Sequence, residues 1–597
     1  MKPDNQSSTA RALSALLRLG ECVRDFIARR ERASLWLTLA VFAAFAVYRA
    51  CVTPLWFDEL FTLFIARLSS LDTFLRAMPV DNQPPLGDLL THMALRLFGQ
   101  GALAVRLPEL LAYAAAGLAT YRIVRRRGTA VQALFGMALL LGANVNKIQA
   151  ITARPYELML LMTAIVFACW QSAAEREGGR FMALFGLALG VAGAVLTHHF
   201  AIIQIGVLLA AGEAARLVHR RKLDWAMLIA VALGLFPLAW TVQIMRQSRM
   251  LLGEPILHSA VFWARPGFAS LKTYQMMSAL PLLWIFLGFA VLLWSVGTGE
   301  GESSVSVPVE DSAGAKAHVD PPSSSARLKS CPDTSCLSES VSQQGEELRP
   351  VTTPLHEWAA AIALALLVPV QIVITSVATN YYLPRYAIGT SLGMALVFAW
   401  ALPRLGRLRN VGQPVLALST ACFVVSVAVT LLIAQIRRPI WRPQLARQAE
   451  SPLLAEAPAG LPIVVANGLD YAPEWWYAPA ALQPRLVYLY DVAYAERERD
   501  PLAELSLSEG QFYIPMNVQP YAAYLAAHPH FLLLAAGNAR LLWLPERLAH
   551  EGWSLQPIAA RGSDVLYRVD RPPAVGQPPP AVGQPLAVRS QKPLRSP

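Results

Sequence analysis

Two adjacent carboxylates, Asp58 and Glu59, interrupt an apolar part of the sequence in the stretch TPLWFDELFTLF. A charged side chain is costly at membrane depth, so the pair marks either a boundary with water or a functional site. A positioned carboxylate can remove the proton of an attacking hydroxyl or amine. Carboxylates in the first turn of a helix also stabilise that helix through its dipole. From these residues alone, a catalytic base and a helix-terminal charge are both open interpretations.

Other polar residues that could bind an anion, a sugar or an acceptor stand beside later apolar segments. Arginine suits the phosphate of a lipid. Each residue also has a structural interpretation, as a snorkelling arginine, an interfacial aromatic residue or an aspartate at a helix entry. The candidates are Asp81, Arg106, Arg154, Tyr156, His198, His199, Arg385 and Tyr386, with His258, Arg265 and Lys272 as weaker ones in a later loop.

The composition that surrounds these residues is that of a membrane protein. Of the 597 residues, 55% are hydrophobic and 15% are charged, whereas a soluble domain carries roughly 25% charged residues. The net charge of +11 is typical of Lys and Arg in cytoplasmic loops. No basic run alternates with aromatic residues as single-stranded nucleic acid would require, so we expect no nucleic-acid partner.

Apolar segments near the length of about 20 residues that a helical span needs occur about eleven times. Basic segments such as RRER, RIVRRRG and PRLGRLRN fall on one side of these spans, which the positive-inside rule assigns to the cytoplasm. We therefore expect a multi-pass protein of the inner (plasma) membrane with a cytoplasmic N-terminus, and with the candidate residues outside. The predicted spans lie near 35–55, 103–123, 129–145, 155–173, 181–197, 200–217, 224–243, 278–297, 355–376, 385–402 and 413–434.

The segments outside the spans differ in character. Short apolar runs, LPIVVAN, RLVYLYD and HFLLLAAG, are of strand length and predict a small extracytoplasmic α/β domain. The Ser-, Pro- and Gly-rich insert is expected to be a disordered cytoplasmic loop, and the Pro-rich tail to be disordered. The predicted organisation is a basic cytoplasmic N-terminus at 1–34, a transmembrane domain at 35–435 with the insert at 299–354, the α/β domain at 436–570 and the tail at 571–597.

The first external loop, 56–106, predicts two amphipathic helices at the membrane interface. Leu60, Phe61, Leu63, Phe64 and Leu68 recur at helical spacing after the carboxylate pair, which suits an interfacial helix. A second helix is expected to begin after Pro84 and Pro85, to present Leu86, Leu89, Leu90, Met93 and Leu97, and to end at Gly99, because proline favours helix starts and glycine favours helix ends.

Taken in order, WFDELFT, DNQPPLGDLLTHMALRLFGQ, ARPYELMLL, LTHHFA and YYLPRYAIG resemble glycosyltransferase family 39. These are membrane glycosyltransferases of the GT-C type, and they include the dolichyl-phosphate-mannose protein mannosyltransferases and the aminoarabinose transferases. The resemblance implies transfer of a sugar from a polyprenyl phosphate on the extracytoplasmic face. It assigns the base to Asp58, with Glu59 in a supporting or metal-facing role. The aminoarabinose transferases carry an acidic residue and a lysine before the Pro-Pro pair, where this chain has Asn82 and Gln83.

For the chemistry that this resemblance implies, we expect Arg106, Arg154 and Arg385 to bind the donor phosphate, whose developing charge needs cations or a metal. Asp81, Tyr156, His198, His199 and Tyr386 are the expected substrate-binding residues. No cofactor is assigned; a divalent metal is possible, although its ligands cannot be placed. The partners implied are the polyprenyl-linked sugar, membrane lipids and a lipid, glycan or protein acceptor.

Two other functions stay open at this point. The first is a transporter or flippase that moves a polyprenyl-linked sugar without breaking a bond. Such proteins commonly show internal repeats and charges at the membrane midplane, whereas the charged candidates here cluster at one face. The second is a scaffold without activity whose external domain binds a partner.

Overall fold

The computed structural model describes residues 4–81, 83–175, 179–247, 265–297, 353–378, 382–404, 408–438, 451–498, 502–535 and 543–572. The predicted disordered insert apart from residues 353–354, the Pro-rich tail apart from residues 571–572, and the candidate His258 lie outside these residues. The first part of the chain is helical: α1 Asp4–Arg29, α2 Glu31–Val52, α3 Phe57–Ala66, α4 Leu71–Asp81, α5 Leu86–Phe98, α6 Ala102–Arg125, α7 Ala130–Gly142, α8 Asn144–Gln149, α9 Tyr156–Glu175, α10 Phe181–Thr197 and α11 Ala201–Arg220.

Helices continue through the second part of the membrane region. They are α12 Trp225–Gly234, α13 Leu238–Gln247, α14 Tyr274–Met277, α15 Leu280–Gly297, α16 Leu355–Ala365, α17 Leu367–Ala378, α18 Gly389–Ala401 and α19 Leu408–Arg437, with 3₁₀ turns at Phe268–Thr273, Pro384–Ala387 and Leu402–Arg404. Their apolar side chains form one large buried cluster. Close packing is visible at Gly393 of α18, where a Cβ atom would lie 2.2 Å from the backbone nitrogen of Ala365 in α16.

Six described helices are long and apolar enough to cross a membrane, namely Glu31–Val52, Ala102–Arg125, Tyr156–Glu175, Ala201–Arg220, Trp225–Ile244 and Gly412–Arg437. Two further candidates are bent pairs: Phe268–Met277 with Leu280–Leu292 bends by 75°, and Leu355–Ala365 with Leu367–Ala378 by 56°. Nine of the eleven predicted segments coincide with one helix each, and the other two, 224–243 and 355–376, each cover two consecutive helices. The predicted number of eleven spans is nevertheless not confirmed, because α7, α10 and α18 are short, with 13, 17 and 13 residues.

Ion pairs tie the helices together at the end of the bundle where α2 begins and α6 ends. Arg125 Nε lies 2.9 Å from Glu31 Oε1, and Arg180 Nη1 lies 2.6 Å from Asp224 Oδ2. The basic segments that indicated the cytoplasmic side therefore share one end, while the end of α2 and the start of α6 lie at the other.

The C-terminal region, from residue 451, is the predicted small α/β domain. Its strands are β1 Ile463–Val465, β2 Leu486–Tyr490, β3 Val518–Pro520, β4 His530–Ala535, β5 Ser554–Arg561 and β6 Asp564–Asp570, and its helices are α20 Gly468–Tyr477, α21 Val492–Glu498, α22 Leu502–Gly510, α23 Tyr521–Ala527 and α24 Trp543–His550. The sheet order is β3-β2-β1-β4-β6-β5. The first four strands in this order are parallel, while β6 pairs antiparallel with β4 and with β5. The three predicted strand segments coincide with β1, β2 and β4.

The first external loop packs between the membrane helices and this domain. A single buried cluster joins Phe57, Leu60 and Phe64 of α3 to Ile463 of β1 and Tyr471 of α20. The expectation that α3 exposes an apolar face at the membrane interface is therefore wrong, because the domain covers that face. The loop also contains a helix that the spacing did not predict, α4.

The predicted second helix of the loop is confirmed as α5, while its position at the membrane interface stays a prediction. It begins directly after Pro85 and ends at Gly99, whose φ of 84° suits glycine. The exposed face of α5 is apolar and includes Met93, Leu97 and Phe98. This is the pattern of a helix that turns its apolar face to lipid and its polar face to the protein interior.

Candidate active site

The start of α3 gives the two adjacent carboxylates their positions. Trp56 is extended and ends the connection from α2, and its backbone N–H donates to Glu59 Oε2 at 3.2 Å. Glu59 thus occupies the third helical position of a capping arrangement, and Asp58 the second. The helix-terminal interpretation is correct for Glu59, but it does not account for the remaining contacts of either side chain.

Glu59 and Arg106 form a buried ion pair, each side chain being 1% exposed. Arg106 Nε donates to Glu59 Oε1 at 2.7 Å, and Nη2 donates to Glu59 Oε2 at 2.6 Å. Arg106 also donates to the carbonyl oxygens of Ala50 and Thr53, both at 2.7 Å, and of Pro54 at 2.9 Å. All five N–H donors of the guanidinium are thereby used.

This saturation argues against the prediction that Arg106 binds the donor phosphate, because all five N–H donors already have partners within the protein. Instead, the arginine fastens α6 to the end of α2 and to the start of α3. Glu59 Oε1 accepts a further hydrogen bond from the backbone N–H of Ala153, at 2.9 Å. Glu59 and Arg106 therefore bring the segment that carries Arg154 next to α3.

Asp58 points to a different environment, where it is 17% exposed. Its Oδ2 atom lies 3.7 Å from Arg154 Nε and 3.6 Å from Arg385 Nη2. These distances are longer than those of charge-assisted hydrogen bonds. Asp58 is thus a partly accessible carboxylate between two guanidinium groups, neither of which holds it in a closed pair.

Arg154 lies in the connection between α8 and α9 and is 11% exposed. Its Nη1 donates to Asp81 Oδ1 at 2.5 Å, which fixes the guanidinium between α3 and the end of α4. Burial disfavours the charged form, but the nearby Asp81 and Asp58 carboxylates outweigh it and raise the pKa of Arg154. Arg154 therefore stays cationic.

Arg385 reaches the site from the turn Pro384–Ala387 that precedes α18. Its guanidinium lies 5.4 Å from the centre of the Tyr156 ring, within the range of a cation–π contact. The turn is anchored because the carbonyl oxygen of Tyr386 accepts hydrogen bonds from the side chains of Gln204 and Gln371, each at 2.9 Å.

Aromatic rings and a histidine complete the cluster. The His198 ring lies 5.2 Å from both Tyr156 and Tyr386, and Tyr386 stacks on Phe200 at 4.2 Å. His198 Nδ1 accepts from the backbone N–H of Phe200 at 3.1 Å, so its proton resides on Nε2. Burial, reinforced by His199, Arg385 and Arg154, lowers the pKa of His198, which is therefore neutral at pH 7.

The His199 ring is oriented differently from the His198 ring: the two ring centres lie 6.5 Å apart, and the angle between the ring planes is 64°. Burial lowers the pKa of His199 to about 4. The structure brings Asp58, Asp81, Arg154, Tyr156, His198, Arg385 and Tyr386 together, whereas Arg106 and Glu59 form the supporting pair behind them. Arg265 and Lys272 are both exposed, and Lys272 lies in the 3₁₀ turn Phe268–Thr273.

Asp88 of α5 is a residue of this site that the motif comparison did not single out. It is 4% exposed, and its charge environment is set by Asp81 and Arg154. The sequence does carry a signal for it. Asp88 and Thr91 are three residues apart, on the face of α5 opposite the apolar Met93 and Leu97, and a polar face of a lipid-facing helix points inward.

Within the described residues, no group of three or more His, Cys, Asp or Glu side chains is arranged to hold a metal ion. The positive charge in the site is supplied by the two arginines. A group with a phosphate and a sugar fits such an arrangement, since arginine binds phosphate through paired N–H donors and carboxylates accept hydrogen bonds from sugar hydroxyls.

Part of the chain matches a known protein family, which indicates the class of protein that has this fold and site. The sequence model of the dolichyl-phosphate-mannose-protein mannosyltransferase family matches residues 82–240. The resemblance to the GT-C membrane glycosyltransferases is thereby confirmed. The matched segment contains Asp88, Arg154 and His198, while Asp58 and Arg385 lie outside it.

Solved structures of this class are similar to the chain. ArnT from Cupriavidus metallidurans bound to undecaprenyl phosphate is 15% identical, with a TM-score of 0.49, over 89% of this chain and 97% of that chain. The apo form of the same protein is also 15% identical, with a TM-score of 0.48, over 90% and 98%. The arabinosyltransferase EmbB from Mycobacterium smegmatis is 15% identical, with a TM-score of 0.31, over 72% and 44%. No curated protein sequence matches the chain.

Proposed function

We propose that the chain transfers a sugar from a polyprenyl phosphate to an acceptor on the extracytoplasmic face of the membrane. The observation that carries this proposal is the position of Asp58, a partly exposed carboxylate 3.7 Å from Arg154 and 3.6 Å from Arg385. The family whose sequence model matches residues 82–240 is named for a dolichyl-phosphate-linked donor, which supports the same class of donor here.

The reaction is a single displacement at the anomeric carbon. The acceptor oxygen or nitrogen attacks that carbon while its proton passes to Asp58, the general base. The bond between the anomeric carbon and the phosphate oxygen breaks, and its electron pair stays on the phosphate. The leaving group is the polyprenyl monophosphate. No nucleotide and no redox step is needed.

Arg154 and Arg385 serve this displacement by binding the donor phosphate. The phosphate gains negative charge as the bond breaks, and fixed cations stabilise that charge most effectively when water is excluded. In the absence of donor, Asp58 partly neutralises the two arginines. A bound phosphate takes over this role, and Asp58 becomes available to accept a proton.

The lipid part of the donor fits the exposed apolar face of α5. Met93, Leu97 and Phe98 are more than half exposed, and the opposite face of the same helix carries Asp88 toward the site. A lipid tail lying along this helix would leave its phosphate near the arginines. We assign Tyr156, Tyr386 and His198 to contacts with the sugar or the acceptor, with His198 Nε2 as a hydrogen-bond donor.

The C-terminal domain lies against the loop that carries Asp58. Phe64 and Arg67, at the end of α3, contact Trp476 of α20. We therefore place this domain on the extracytoplasmic side and assign it to acceptor selection or to support of α3. The positive-inside pattern supports the same orientation, with the N-terminus in the cytoplasm.

The test uses purified full-length protein in lipid nanodiscs with a panel of radiolabelled polyprenyl-phosphate sugars and a membrane extract as the acceptor pool. Transfer releases polyprenyl phosphate and labels the acceptor. We expect Asp58→Asn to lower the rate by about 100-fold or more, the usual contribution of a general base. Asp72→Asn is the matched control, since it makes the same change at an exposed carboxylate of the same loop.

A flippase is separated from a transferase by the same protein in sealed liposomes. Donor that crosses the bilayer with its sugar–phosphate bond intact, and with no labelled acceptor, would establish transport in place of transfer. Equal activity of Asp58→Asn and the unmodified protein would refute the role of Asp58. An inactive protein that still binds acceptor through its C-terminal domain would support a scaffold.

A further inference from the structure

Asp81 and Asp88 form a pair of buried carboxyl groups behind the arginine that faces Asp58. Each residue is 4% exposed. Asp81 Oδ1 accepts from Arg154 Nη1 at 2.5 Å, while Asp88 has no guanidinium contact of this kind among the described residues. The pair is therefore joined to the proposed active site through a single arginine.

The free oxygens of the pair need a proton. Among the described residues, Asp81 Oδ2 and Asp88 Oδ2 are both buried and have no hydrogen-bond donor. The two side chains are close enough to hydrogen-bond to each other, but two ionised carboxylates are acceptors only. One proton between them converts two unsatisfied acceptors into one hydrogen bond.

The charges of the site lead to the same result. The carboxyl groups of Asp58, Asp81 and Asp88 adjoin the guanidinium groups of Arg154 and Arg385. If all three carboxyl groups were ionised, one buried negative charge would lack a partner, which is costly. One shared proton balances the five groups.

The location of that proton follows from the contacts of Arg154. Burial raises the pKa of both carboxyl groups, and the Arg154 contact partly offsets this effect for Asp81. For Asp88, burial and the Asp81 charge both raise the pKa, and the opposing effect of Arg154 is smaller than either of them. Asp88 is thus the protonated member, as expected when two carboxyl groups share one site.

We propose that Asp88 is a positioning residue: it holds the shared proton, donates it in a hydrogen bond to Asp81, and so keeps Asp81 ionised and fixed on Arg154. Asp88 touches neither donor nor acceptor. Its effect is exerted through Asp81 on the guanidinium that binds the donor phosphate, so this assignment rests on the proposed function for its catalytic consequence, although not for the proton itself.

The other titratable groups on the elements packed against α4 and α5 have partners of their own or lie at the surface. Glu59 of α3 and Arg106 of α6 pair with each other, Glu109 of α6 accepts from the amides of Glu157 and Leu158, and His92 of α5 contacts the carbonyl of Ala66. Buried Glu504 of α22 accepts hydrogen bonds from Tyr488 and Trp543, and half-buried Glu509 of the same helix also has an interaction partner. Arg96 of α5 and Arg246 of α13 lie at the surface. The charges that act on the pair are Arg154 and Asp58.

Loss of the shared proton at high pH leaves two adjacent ionised carboxylates in a buried site. They repel each other, and both compete for Arg154, so the phosphate-binding guanidinium loses its fixed position. We therefore expect transfer to decline on the alkaline side as the pair ionises. Asparagine at position 88 carries an N–H donor that does not ionise in this range.

The proton is tested directly by infrared difference spectroscopy on donor-free full-length protein at pH 7. Glu109 and Glu157 are buried carboxyl groups as well, so the readout is the difference from the unmodified protein, in which one carboxylic-acid C=O band should be lost in Asp88→Asn. The control Asp72→Asn should keep the band. A band that survives in Asp88→Asn, or one that disappears in Asp81→Asn alone, would overturn the assignment. This readout does not depend on transferase activity, so it can succeed or fail independently of the proposed function.

The positioning role is tested by the pH dependence of kcat/KM for the donor. Asp88→Ala should lower kcat/KM by about 100-fold, the scale of a misplaced catalytic group. Asp88→Asn should restore much of this loss and move the alkaline decline upward by at least roughly one pH unit. A purely structural Asp88 predicts a lower rate with an unchanged pH profile, and that result would refute the proposal.

Discussion

The replacement Arg106→Lys separates a structural arginine from a phosphate-binding one. Arg106 makes five hydrogen bonds to Glu59, Ala50, Thr53 and Pro54, with donor–acceptor distances between 2.6 and 2.9 Å. Lysine keeps the positive charge but has three N–H donors. At least two acceptor oxygens near a 1% exposed position would therefore lose their donors.

The size of the effect follows from that count. A buried acceptor left without a donor costs about 1–3 kcal/mol, so two of them cost about 2–6 kcal/mol. Since about 1.4 kcal/mol corresponds to a factor of ten, the ratio of folded to unfolded protein should fall by about 30-fold or more.

The assay is thermal unfolding in nanodiscs, followed by intrinsic fluorescence, together with donor binding measured on the fraction that remains folded. Arg106→Lys should unfold at a lower temperature and bind donor with little change in Kd. Arg96→Lys, at an exposed position of α5, is the matched control. The double variant Glu59→Gln, Arg106→Met should be more stable than either single variant, because it leaves no unpaired buried charge.

The opposite pattern would refute this reasoning. If Arg106→Lys unfolded like the unmodified protein and bound donor tenfold more weakly, Arg106 would be a phosphate ligand. The five hydrogen bonds would then have to be exchanged for ligand contacts when donor binds.

Three further expectations concern other parts of the molecule. Arg385→Lys should raise the donor KM by about tenfold, because lysine cannot provide a planar guanidinium both beside Asp58 and over the Tyr156 ring, and steady-state kinetics will measure this. Trp476→Ala should expose the C-terminal domain to limited proteolysis, because loss of a large aromatic side chain costs about 3 kcal/mol; unchanged cleavage would show that the Phe64 contact contributes little. Burial raises the pKa of Asp470 to about 6, so its stabilising protonated form is lost as pH rises through 6. Asp470→Asn should therefore raise the unfolding temperature of the domain at pH 8 relative to the unmodified protein, and a gain at pH 4 equal to that at pH 8 would contradict the cause.

The sequence predicted those features that depend on neighbouring residues. The bounds of α5 follow from Pro85 and Gly99, and three strands of the C-terminal domain follow from short apolar runs. Membership of the site was also predicted for Asp58, Arg154 and Arg385, because an ordered set of motifs placed them on one side of the membrane.

Other features depend on residues that are distant in the chain, and spacing could not predict them. The apolar face of α3 is the same whether lipid or protein covers it, and only the fold shows that α20, about 400 residues later, lies there. For Arg106 the sequence indicates a charge at the outer end of a span. It does not indicate that the free carbonyl groups at the end of α2 provide three acceptors. Of the two bent helix pairs, Leu355–Ala365 with Leu367–Ala378 was predicted as one span, 355–376, and of the other pair only the second helix was predicted, as 278–297.

The different environments of Asp58 and Glu59 follow from the geometry of the helix they begin. Successive residues of an α-helix are separated by about 100° around its axis, so adjacent side chains cannot share one partner. Glu59 faces inward, where Arg106 and the Ala153 amide use its oxygens. Asp58 then has to face the side on which Arg154 and Arg385 lie. Glu59 also accepts a hydrogen bond from the backbone N–H of Ala153, the residue before Arg154. Glu59 therefore fixes both the direction of Asp58 and the position of the segment that carries Arg154. The capping role and the proposed catalytic role, which were alternatives for the pair as a whole, can therefore belong to different members of it: Glu59 caps the helix, and Asp58 is the proposed base.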